Sequence, residues 1–370
     1  MPGATIGIIG GGQLGRMMAT TAKHMGYRIA VLDPTEDCPA AQLCDEHIVA
    51  NYSDLEAIKQ LAEVSDVITY EFENVDLVTS RYLEEKGLLP QGSELLRVTQ
   101  DRENEKSLLV ENNLPVAPFK IVHSEQEFTE GLEQIGIPSV LKTCTGGYDG
   151  KGQFKIESVK DLVAGIQFIE KNKRCILEKW LPFDKEVSVV LTRSTAGDVS
   201  FFPLAENEHK NHILHKTIAP ARVDKAIEEK AFRAAQAVAE AIGVVGTFAI
   251  EMFVRDKDIY INEMAPRPHN SGHYTIEACS VSQFEQHVRA ICGLPHAPIF
   301  FHGAAIMINL LGQDVEDYLS RIDELKGAHI HIYGKKEIKE NRKMGHITFV
   351  GNELGAVKQL VDQVSTEKIG

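Results

Sequence analysis

The chain has 370 residues and a mass of 41.0 kDa, more than one hydrophobic core usually fills, so two or three domains are expected. Hydrophobic residues make up 43% of the sequence, which is typical of a globular protein. The formal net charge of -14 argues against a protein that binds nucleic acid or an anionic membrane, because those surfaces are bound by clustered Lys and Arg.

The N-terminal residues are expected to form a βαβ unit. Its predicted elements are a strand, a helix and a second strand, at residues 6–9, 16–26 and 28–32. Gly10, Gly12 and Gly15 satisfy the G-x-G-x-x-G spacing, and Asp33 ends the second strand where a dinucleotide fold places its ribose-binding acid. A nicotinamide-dependent dehydrogenase is therefore one interpretation. The spacing also describes any tight turn that brings an anion to a helix N-terminus, so it indicates phosphate binding or close packing more than NAD.

Further strands predicted at residues 67–73 and near 88–90 complete a doubly wound parallel sheet, and we expect this N-terminal Rossmann-like domain to span residues 1–99. A second domain is expected at residues 100–295. It begins with a charged helix at 100–113 and a linker with two prolines at 114–118. The strands predicted next lie at 139–142, 152–156, 175–178 and 186–192, and a helix is predicted at 159–171. A small α+β lid at about 115–185 would contain the helix and most of these strands.

A glycine-rich loop follows the predicted strand that ends at Lys142. Its glycines leave backbone NH groups free to approach phosphate oxygens, while Lys142 and Lys151 add positive charge on either side. The loop therefore indicates a nucleoside triphosphate site. Taken alone, a surface turn with two lysines explains it equally well.

A predicted β-hairpin carries two glutamates, Glu251 and Glu263. Glu251 is expected on the face opposite to the apolar residues of its strand, and Glu263 on the same face as Ile259 and Ile261. If the turn is centred on Lys257, Glu251 pairs directly with Glu263.

Two carboxylates directly opposite each other repel unless a cation lies between them. Oxygen ligands select a hard ion, and Mg²⁺ typically uses one or two carboxylates together with nucleotide phosphates. Glu251 and Glu263 are therefore predicted to bind Mg²⁺, with Mn²⁺ as an alternative ion. A two-residue turn would instead place Glu251 opposite Asn262 and leave a solvated hairpin.

Residues 296–370 are expected to form a small, mostly β third domain, with strands at 304–311, 329–333 and 346–350. Positive charge is concentrated at residues 333–336 and 342–346, although the chain is acidic overall. These basic segments are either a solvated strand edge that discourages pairing or a second phosphate site for a substrate other than ATP.

The six cysteines are scattered without a Cys-x-x-Cys spacing, and no apolar run reaches membrane-spanning length. The first residues lack the pattern of a signal peptide. We therefore expect a cytoplasmic enzyme with reduced thiols, without a membrane or nucleic-acid partner.

In chain order, these motifs resemble the ATP-grasp superfamily and, within it, the family of 5-(carboxyamino)imidazole ribonucleotide synthases. The motifs that carry the resemblance lie at residues 10–16, 70–74, 100–102, 146–152 and 262–273 and in the two basic segments. The resemblance implies an ATP-grasp fold with an N-terminal doubly wound parallel sheet and a small mostly β C-terminal domain. It also implies ATP- and bicarbonate-dependent carboxylation of the exocyclic amine of 5-aminoimidazole ribonucleotide, through carboxyphosphate, in purine biosynthesis by a homodimer.

The resemblance assigns Arg102 and Lys142 to the ATP phosphates and Glu186 to the ribose hydroxyls. The hinge for adenine would consist of Glu178, Lys179, Trp180 and Leu181. The loop over the phosphates would consist of Gly147, Tyr148, Asp149, Gly150, Lys151, Gly152 and Gln153. Further nucleotide contacts would come from His209, Asn262 and Glu263. Glu251 and Glu263 would ligate the metal ion.

For the other substrates, the resemblance implies that Arg267 binds bicarbonate and carboxyphosphate, and that Tyr148, Asp149 and Lys151 line the second pocket. Glu73, or alternatively Glu71, would orient the ribonucleotide. Its 5′-phosphate would be bound by Lys335 and Arg342, with help from NH groups of residues 10–15 or from Cys38. Ala265 stands where many ATP-grasp enzymes have a metal-site asparagine, and Asn270 is expected to compensate.

Three alternatives remain at this point. The first is another ATP-grasp carboxylase or a formyl-transfer ligase with a different amine acceptor. The second is the nicotinamide-dependent dehydrogenase, and the third is a nucleotide-binding regulator without catalysis.

Overall fold

The computed structural model describes residues 3–147 and 151–364. The first part of the chain forms a four-stranded parallel sheet in the order β3-β2-β1-β4. Its elements are β1 (Thr5–Ile9), α1 (Gln13–His24), β2 (Arg28–Leu32), β3 (Glu46–Ile48), α2 (Leu55–Val64), β4 (Val67–Tyr70), α3 (Leu77–Glu85) and α4 (Glu94–Thr99).

Apolar side chains cover both faces of this sheet. Within β1, Ile6 and Ile8 belong to one buried cluster and Ile9 to another, as the two-residue period of a strand requires. The predicted doubly wound sheet is confirmed. Residues 88–90 are not a strand, but the carbonyl of Leu88 accepts a hydrogen bond of 2.7 Å from the amide of Ile68.

A second, antiparallel sheet has the order β5-β8-β6-β7 and lies within the segment predicted as a lid. This part of the chain consists of α5 (Arg102–Glu111), β5 (Phe119–Val122), α6 (Glu125–Ile135), β6 (Ser139–Thr143), β7 (Gln153–Ile156), α7 (Leu162–Asn172) and β8 (Cys175–Lys179). Apolar residues of α6, α7 and the sheet form one buried cluster. The β6–β7 connection is the glycine-rich loop.

The largest sheet has nine strands in the order β14-β13-β9-β11-β12-β15-β17-β16, with β10 paired to β9. The elements of this part are β9 (Lys185–Arg193), β10 (Val199–Phe201), β11 (Ala205–Lys210), β12 (Ile213–Ala219), α8 (Lys225–Ile242), β13 (Gly246–Arg255), β14 (Asp258–Ala265), α9 (Thr275–Ala278), α10 (Gln283–Ile291), β15 (Ala304–Leu311), α11 (Val315–Ser320), β16 (Ala328–Ile332), β17 (Lys343–Gly351) and α12 (Leu354–Val364).

The strands of the C-terminal segment extend this sheet, because β12 pairs with β15. The three strands predicted for that segment are therefore present but continue the central sheet. In the two described ranges of the chain, no helix is both long and apolar enough to cross a membrane.

Candidate active site

A cavity of about 1290 Å³ lies between the first sheet, the lid sheet and the central sheet. The structure brings most of the predicted site residues to its wall. These are Glu73, Arg102, Lys142, Gly147, Lys151, Gly152, Gln153, Glu178, Lys179, Trp180, Leu181, Glu186, His209, Glu251, Asn262, Glu263, Arg267 and Asn270. Three further predicted residues, Tyr148, Asp149 and Gly150, lie outside the described residues.

The β13–β14 hairpin pairs Glu251 directly with Glu263, as predicted. The turn differs from the prediction, because Arg255 pairs with Asp258 and the turn has only two residues. A regular ladder from that turn would place Glu251 opposite Asn262. A register shift next to Glu251 skips Asn262, which is the extra residue of a β-bulge, and restores the pairing of the two glutamates.

The bulge also corrects the predicted orientation of Glu263. Ile259 and Ile261 are buried in the core cluster with Met264, whereas Glu263 lines the cavity. Glu263 therefore does not share a face with Ile259 and Ile261, because the extra residue reverses the alternation of side chains. The expectation for Glu251 is confirmed, since the alternate residues of its strand are in the core.

The paired glutamates fit a divalent cation. Burial, followed by the nearby charge of Glu263, raises the pKa of Glu251. A hard cation between the carboxylates would remove this repulsion. Within the described residues, no group of three or more His, Cys, Asp and Glu could hold a metal ion by itself. Nucleotide phosphates and water would therefore have to complete the coordination.

Lys142 and the buried Glu178 form an ion pair of 2.5 Å on the cavity wall. Lys106 lies 3.4 Å from the other carboxylate oxygen of Glu178. Burial alone would raise the pKa of Glu178, but the two lysines outweigh burial and lower it to about 2. The side chain of this predicted hinge residue is thus a permanent counter-ion for two ammonium groups.

The backbone of the predicted hinge is partly engaged within the protein. The amide of Lys179 donates to the carbonyl of Pro118 at 2.8 Å, and that of Trp180 donates to Pro138 at 3.2 Å. The Trp180 ring lies under the ammonium of Lys155, 4.1 Å from its centroid. These contacts join the hinge to the lid sheet.

Glu186 and His209 form a close ion pair through Nδ1 of the imidazole. Burial would lower the pKa of His209, but the hydrogen bond to Glu186 and the charge of Glu251 raise it overall. The two residues therefore present a carboxylate and an imidazolium next to Glu251.

Arg267 is partly buried and paired with Glu73. Its Nε and Nη2 atoms both lie 2.9 Å from Glu73 Oε2, and Nη1 donates to the carbonyl of Pro268 at 3.3 Å. The charge of Arg267 lowers the pKa of Glu73. A planar guanidinium fixed in this way suits a carboxylate or phosphate ligand.

Glu71 occupies the glycine turn of the first domain. Its carboxylate accepts hydrogen bonds from the amides of Gly12 and Gly15, the second at 2.6 Å. Asp33 accepts one from Gly11 at 2.7 Å. A buried carboxylate thus lies where a dinucleotide pyrophosphate would bind, and both features behind the dehydrogenase interpretation serve packing. The same amides are not available to the 5′-phosphate in this state.

Lys335 and Arg342 are not among the residues that line the described cavity. Lys335 Nζ donates to Gln13 Oε1 at 2.5 Å and to the carbonyl of Lys343 at 2.6 Å, and both of these residues line the cavity. Burial, together with the charge of Arg342, lowers the pKa of Lys335 to about 8. Lys335 therefore lies directly behind the cavity wall, and Lys343 of the second basic segment is part of that wall.

Asn270 is paired with another amide. Its Nδ2 donates to Asn309 Oδ1 at 3.0 Å, and Asn309 Nδ2 donates back to Asn270 Oδ1 at 2.7 Å. Asn309 was not identified from the sequence. The expected replacement of the metal-site asparagine by Asn270 has no support in these contacts.

Sequence reasoning also missed two charged residues of α5. Glu105 and Lys106 lie on the cavity wall, buried, and contact the backbone of the second hairpin strand. Burial raises the pKa of Glu105 to about 7. Their position on one helix with the predicted ligand Arg102, three and four residues after it, was the only signal in the sequence.

Three family models match the chain. They describe a ribonucleotide synthetase preATP-grasp domain at residues 3–100, an ATP-grasp domain at 107–284 and a phosphoribosylaminoimidazole carboxylase C-terminal domain at 305–360. Together they cover the three parts of the predicted fold.

Curated and solved relatives agree with these models. The N5-carboxyaminoimidazole ribonucleotide synthase of Bacillus subtilis (strain 168) is 51% identical over 94% of this chain and 92% of its own length. A crystal structure of an N5-carboxyaminoimidazole ribonucleotide synthetase with ADP is 50% identical, with a TM-score of 0.95 over 98% of this chain and 97% of its own. The Aspergillus clavatus enzyme, in complex with ADP and 5-aminoimidazole ribonucleotide, is 32% identical, with a TM-score of 0.91 over 98% and 99%.

Proposed function

The chain belongs to the family of N5-carboxyaminoimidazole ribonucleotide synthases, and we propose that it carboxylates the exocyclic amine of 5-aminoimidazole ribonucleotide with ATP and bicarbonate. The products are N5-carboxyaminoimidazole ribonucleotide, ADP and phosphate. One observation carries the proposal. A single cavity is lined by the paired glutamates, by Lys142 and by the ion pair of Arg267 with Glu73.

ATP would lie between the lid sheet and the central sheet. Its phosphates would meet Lys142 and Arg102, which carry fixed positive charge on the cavity wall. Because the amides of Lys179 and Trp180 already have carbonyl partners, Leu181 is the hinge residue whose amide we assign to adenine. Glu186 would accept the ribose hydroxyls.

Glu251 and Glu263 would hold Mg²⁺. When bound, this ion offsets negative charge on the phosphate oxygens and orients the terminal phosphate. The remaining positive charge comes from Lys142, Arg102 and Arg267.

Arg267 would bind bicarbonate, with its guanidinium held in position by Glu73. An oxygen of bicarbonate attacks the γ-phosphorus of ATP, the bond to the bridging oxygen breaks, and ADP leaves. The resulting carboxyphosphate hydrolyses in water, so the lid must exclude solvent until the amine captures the carboxyl group or the CO₂ released from it. Phosphate is the second leaving group.

The ribonucleotide would enter from the side of the first and C-terminal parts of the chain. Glu73 would orient it, and Lys335, behind Gln13 and Lys343, would approach its 5′-phosphate together with Arg342. Glu71 is assigned to the glycine turn instead, because both of its oxygens accept backbone hydrogen bonds there.

The reaction is tested by following ADP release while each substrate is omitted in turn. We expect rapid release only with ATP, bicarbonate and 5-aminoimidazole ribonucleotide together. Equal rates without the ribonucleotide, or faster release with another amine, would contradict the assigned acceptor and favour a different carboxylase or formyl-transfer ligase.

We further propose a homodimer that works in the cytoplasm. The family resemblance supports the dimer. All six cysteines are free thiols, which fits a reducing compartment.

A further inference from the structure

The pairing of Glu251 with Glu263 depends on the bulged residue Asn262. A bulge interrupts the hydrogen-bond ladder and leaves backbone groups that need other partners. The carbonyls of Ile261 and Asn262 are both bound by a single ammonium group, Lys106 Nζ, at 3.2 and 2.8 Å. A side chain from α5 therefore supplies the donors at the bulge.

The ammonium group of Lys106 is engaged within the protein. An ammonium group has three N–H donors, and Lys106 Nζ faces three acceptors, namely the two bulge carbonyls and Glu178 Oε1 at 3.4 Å. The Lys106 side chain is only 1% exposed. This buried ammonium group is therefore directed at the bulge and at Glu178.

The neighbouring residue of α5 holds the other side of Glu263. Glu105 Oε1 accepts a hydrogen bond of 2.7 Å from the amide of Met264, the residue after Glu263. On the N-terminal side of Glu263, the amide of Ile261 donates a hydrogen bond of 2.8 Å to the carbonyl of Pro115. The strand segment around Glu263 is thus fixed on both sides by contacts from outside the hairpin.

We propose that Lys106 is a positioning residue that stabilises the Asn262 bulge and so directs Glu263 towards Glu251. Lys106 acts through the backbone and touches neither nucleotide nor metal ion. It also links the bulge to the predicted phosphate ligand Lys142, because Glu178 is an ion-pair partner of both lysines. This inference rests on the metal assignment in the proposed function.

The test measures Mn²⁺ affinity in the presence of ADP, by electron paramagnetic resonance of the free ion, on the full chain. Lys106→Met keeps the length of the side chain but removes its donors, and we expect Mn²⁺ affinity to fall about 10- to 100-fold. Lys106→Gln keeps amide donors and should lose less. ADP affinity without metal should change little in both variants.

Lys230→Met is the matched control. Lys230 Nζ also binds a carbonyl and a carboxylate of this hairpin, Lys257 O at 2.6 Å and Asp258 Oδ1 at 2.5 Å, but at the turn. Its Mn²⁺ affinity should stay at the wild-type value. Equal losses in the Lys106 and Lys230 variants would show a general effect on the hairpin and overturn the proposal.

The Glu263→Gln variant distinguishes failure of the positioning role of Lys106 from failure of the metal assignment. If Glu263→Gln weakens Mn²⁺ binding and folded Lys106→Met does not, the positioning role is wrong and the metal site stands. If Glu263→Gln also leaves Mn²⁺ affinity unchanged, the metal assignment itself is wrong. Should Lys106→Met fail to fold, Lys106→Gln carries the test, and failure of both to fold would make Lys106 a stability residue and overturn the proposal.

Discussion

The paired glutamates Glu251 and Glu263 have unequal surroundings. The Glu251 side chain is 17% exposed and that of Glu263 is 45% exposed. Arg102 lies 3.5 Å from Glu263. Glu251 has two imidazoles nearby: His269, at 3.4 Å, is uncharged because burial holds its pKa well below the usual value, and the charge of His209 partly offsets the rise in the pKa of Glu251. A cation between the carboxylates would offset the charge of Glu263 that raises the pKa of Glu251, and Glu263 is accessible to it from the cavity.

Replacing Glu263 by Gln removes a carboxylate ligand without changing the volume of the side chain. We expect ATP turnover to fall on the order of 100-fold while the unfolding temperature stays near that of the wild type. Steady-state ADP release and thermal unfolding measure the two effects. Glu111→Gln, at the exposed end of α5, is the control and should keep full turnover. Wild-type turnover in Glu263→Gln would refute the metal assignment.

Lys335→Ala should weaken ribonucleotide binding by at least about tenfold and leave ATP binding nearly unchanged, because it removes one charge-assisted phosphate contact. Calorimetric titration with each ligand measures both constants. Similar losses for the two ligands would contradict a separate phosphate site.

The pH dependence of ribonucleotide binding follows from the same residue. The pKa of Lys335 is lowered to about 8, so the ammonium is charged below pH 8 and loses its charge as the pH rises through that value. Affinity for the anionic phosphate should accordingly fall between pH 7 and pH 9. Lys335→Arg stays charged over this range, and its affinity should be much less sensitive to pH. A wild-type affinity that stays constant to pH 9 would rule out this role.

At the scale of elements, the β6–β7 connection depends on its glycines. Gly152 has φ of +71°, and a Cβ there would lie 2.7 Å from Thr143 Oγ1. Gly146 has a similar φ of +75°, but a Cβ there would meet nothing within 4 Å. The two positions therefore share the backbone strain of a left-handed residue, about 1–2 kcal/mol, and differ in the steric clash.

Gly152→Ala should reduce ATP affinity more than Gly146→Ala, because the clash adds about 1–3 kcal/mol of strain next to the phosphate site. ATP binding by calorimetry, with thermal unfolding as the stability measurement, compares the two variants. Equal ATP affinities would mean that the shape of this loop does not matter for the nucleotide.

Elements with strong apolar patterns were predicted well, and those that depend on distant partners were not. β2 and β15 have the predicted bounds, since buried apolar runs between turn residues identify them. β3, with the residues Glu46–Ile48, was missed because it is short and polar and exists only through its pairing with β2. The hairpin shows the same limit. Its glutamate pairing was predicted from a turn that does not form, and the bulge that restores the pairing is stabilised by a helix 155 residues earlier in the chain.

At the scale of the whole molecule, the cavity collects residues from three parts of the chain. Glu73 comes from the end of the first sheet, Lys142 from the lid sheet and Glu251 from the central sheet. Most of these residues were predicted by resemblance to a family, because spacing alone does not place them around one cavity. Their partners, such as Asn309 opposite Asn270, follow from packing between elements and have no local pattern.

The central claim is that this cavity makes ATP react with bicarbonate before the amine is carboxylated. The most direct measurement uses bicarbonate labelled with ¹⁸O and determines the label in the phosphate that is released. Attack of a bicarbonate oxygen on the γ-phosphorus predicts one labelled oxygen in each phosphate, formed only while ATP is consumed. Phosphate without label would show that water or the amine attacks ATP directly, and would contradict the account.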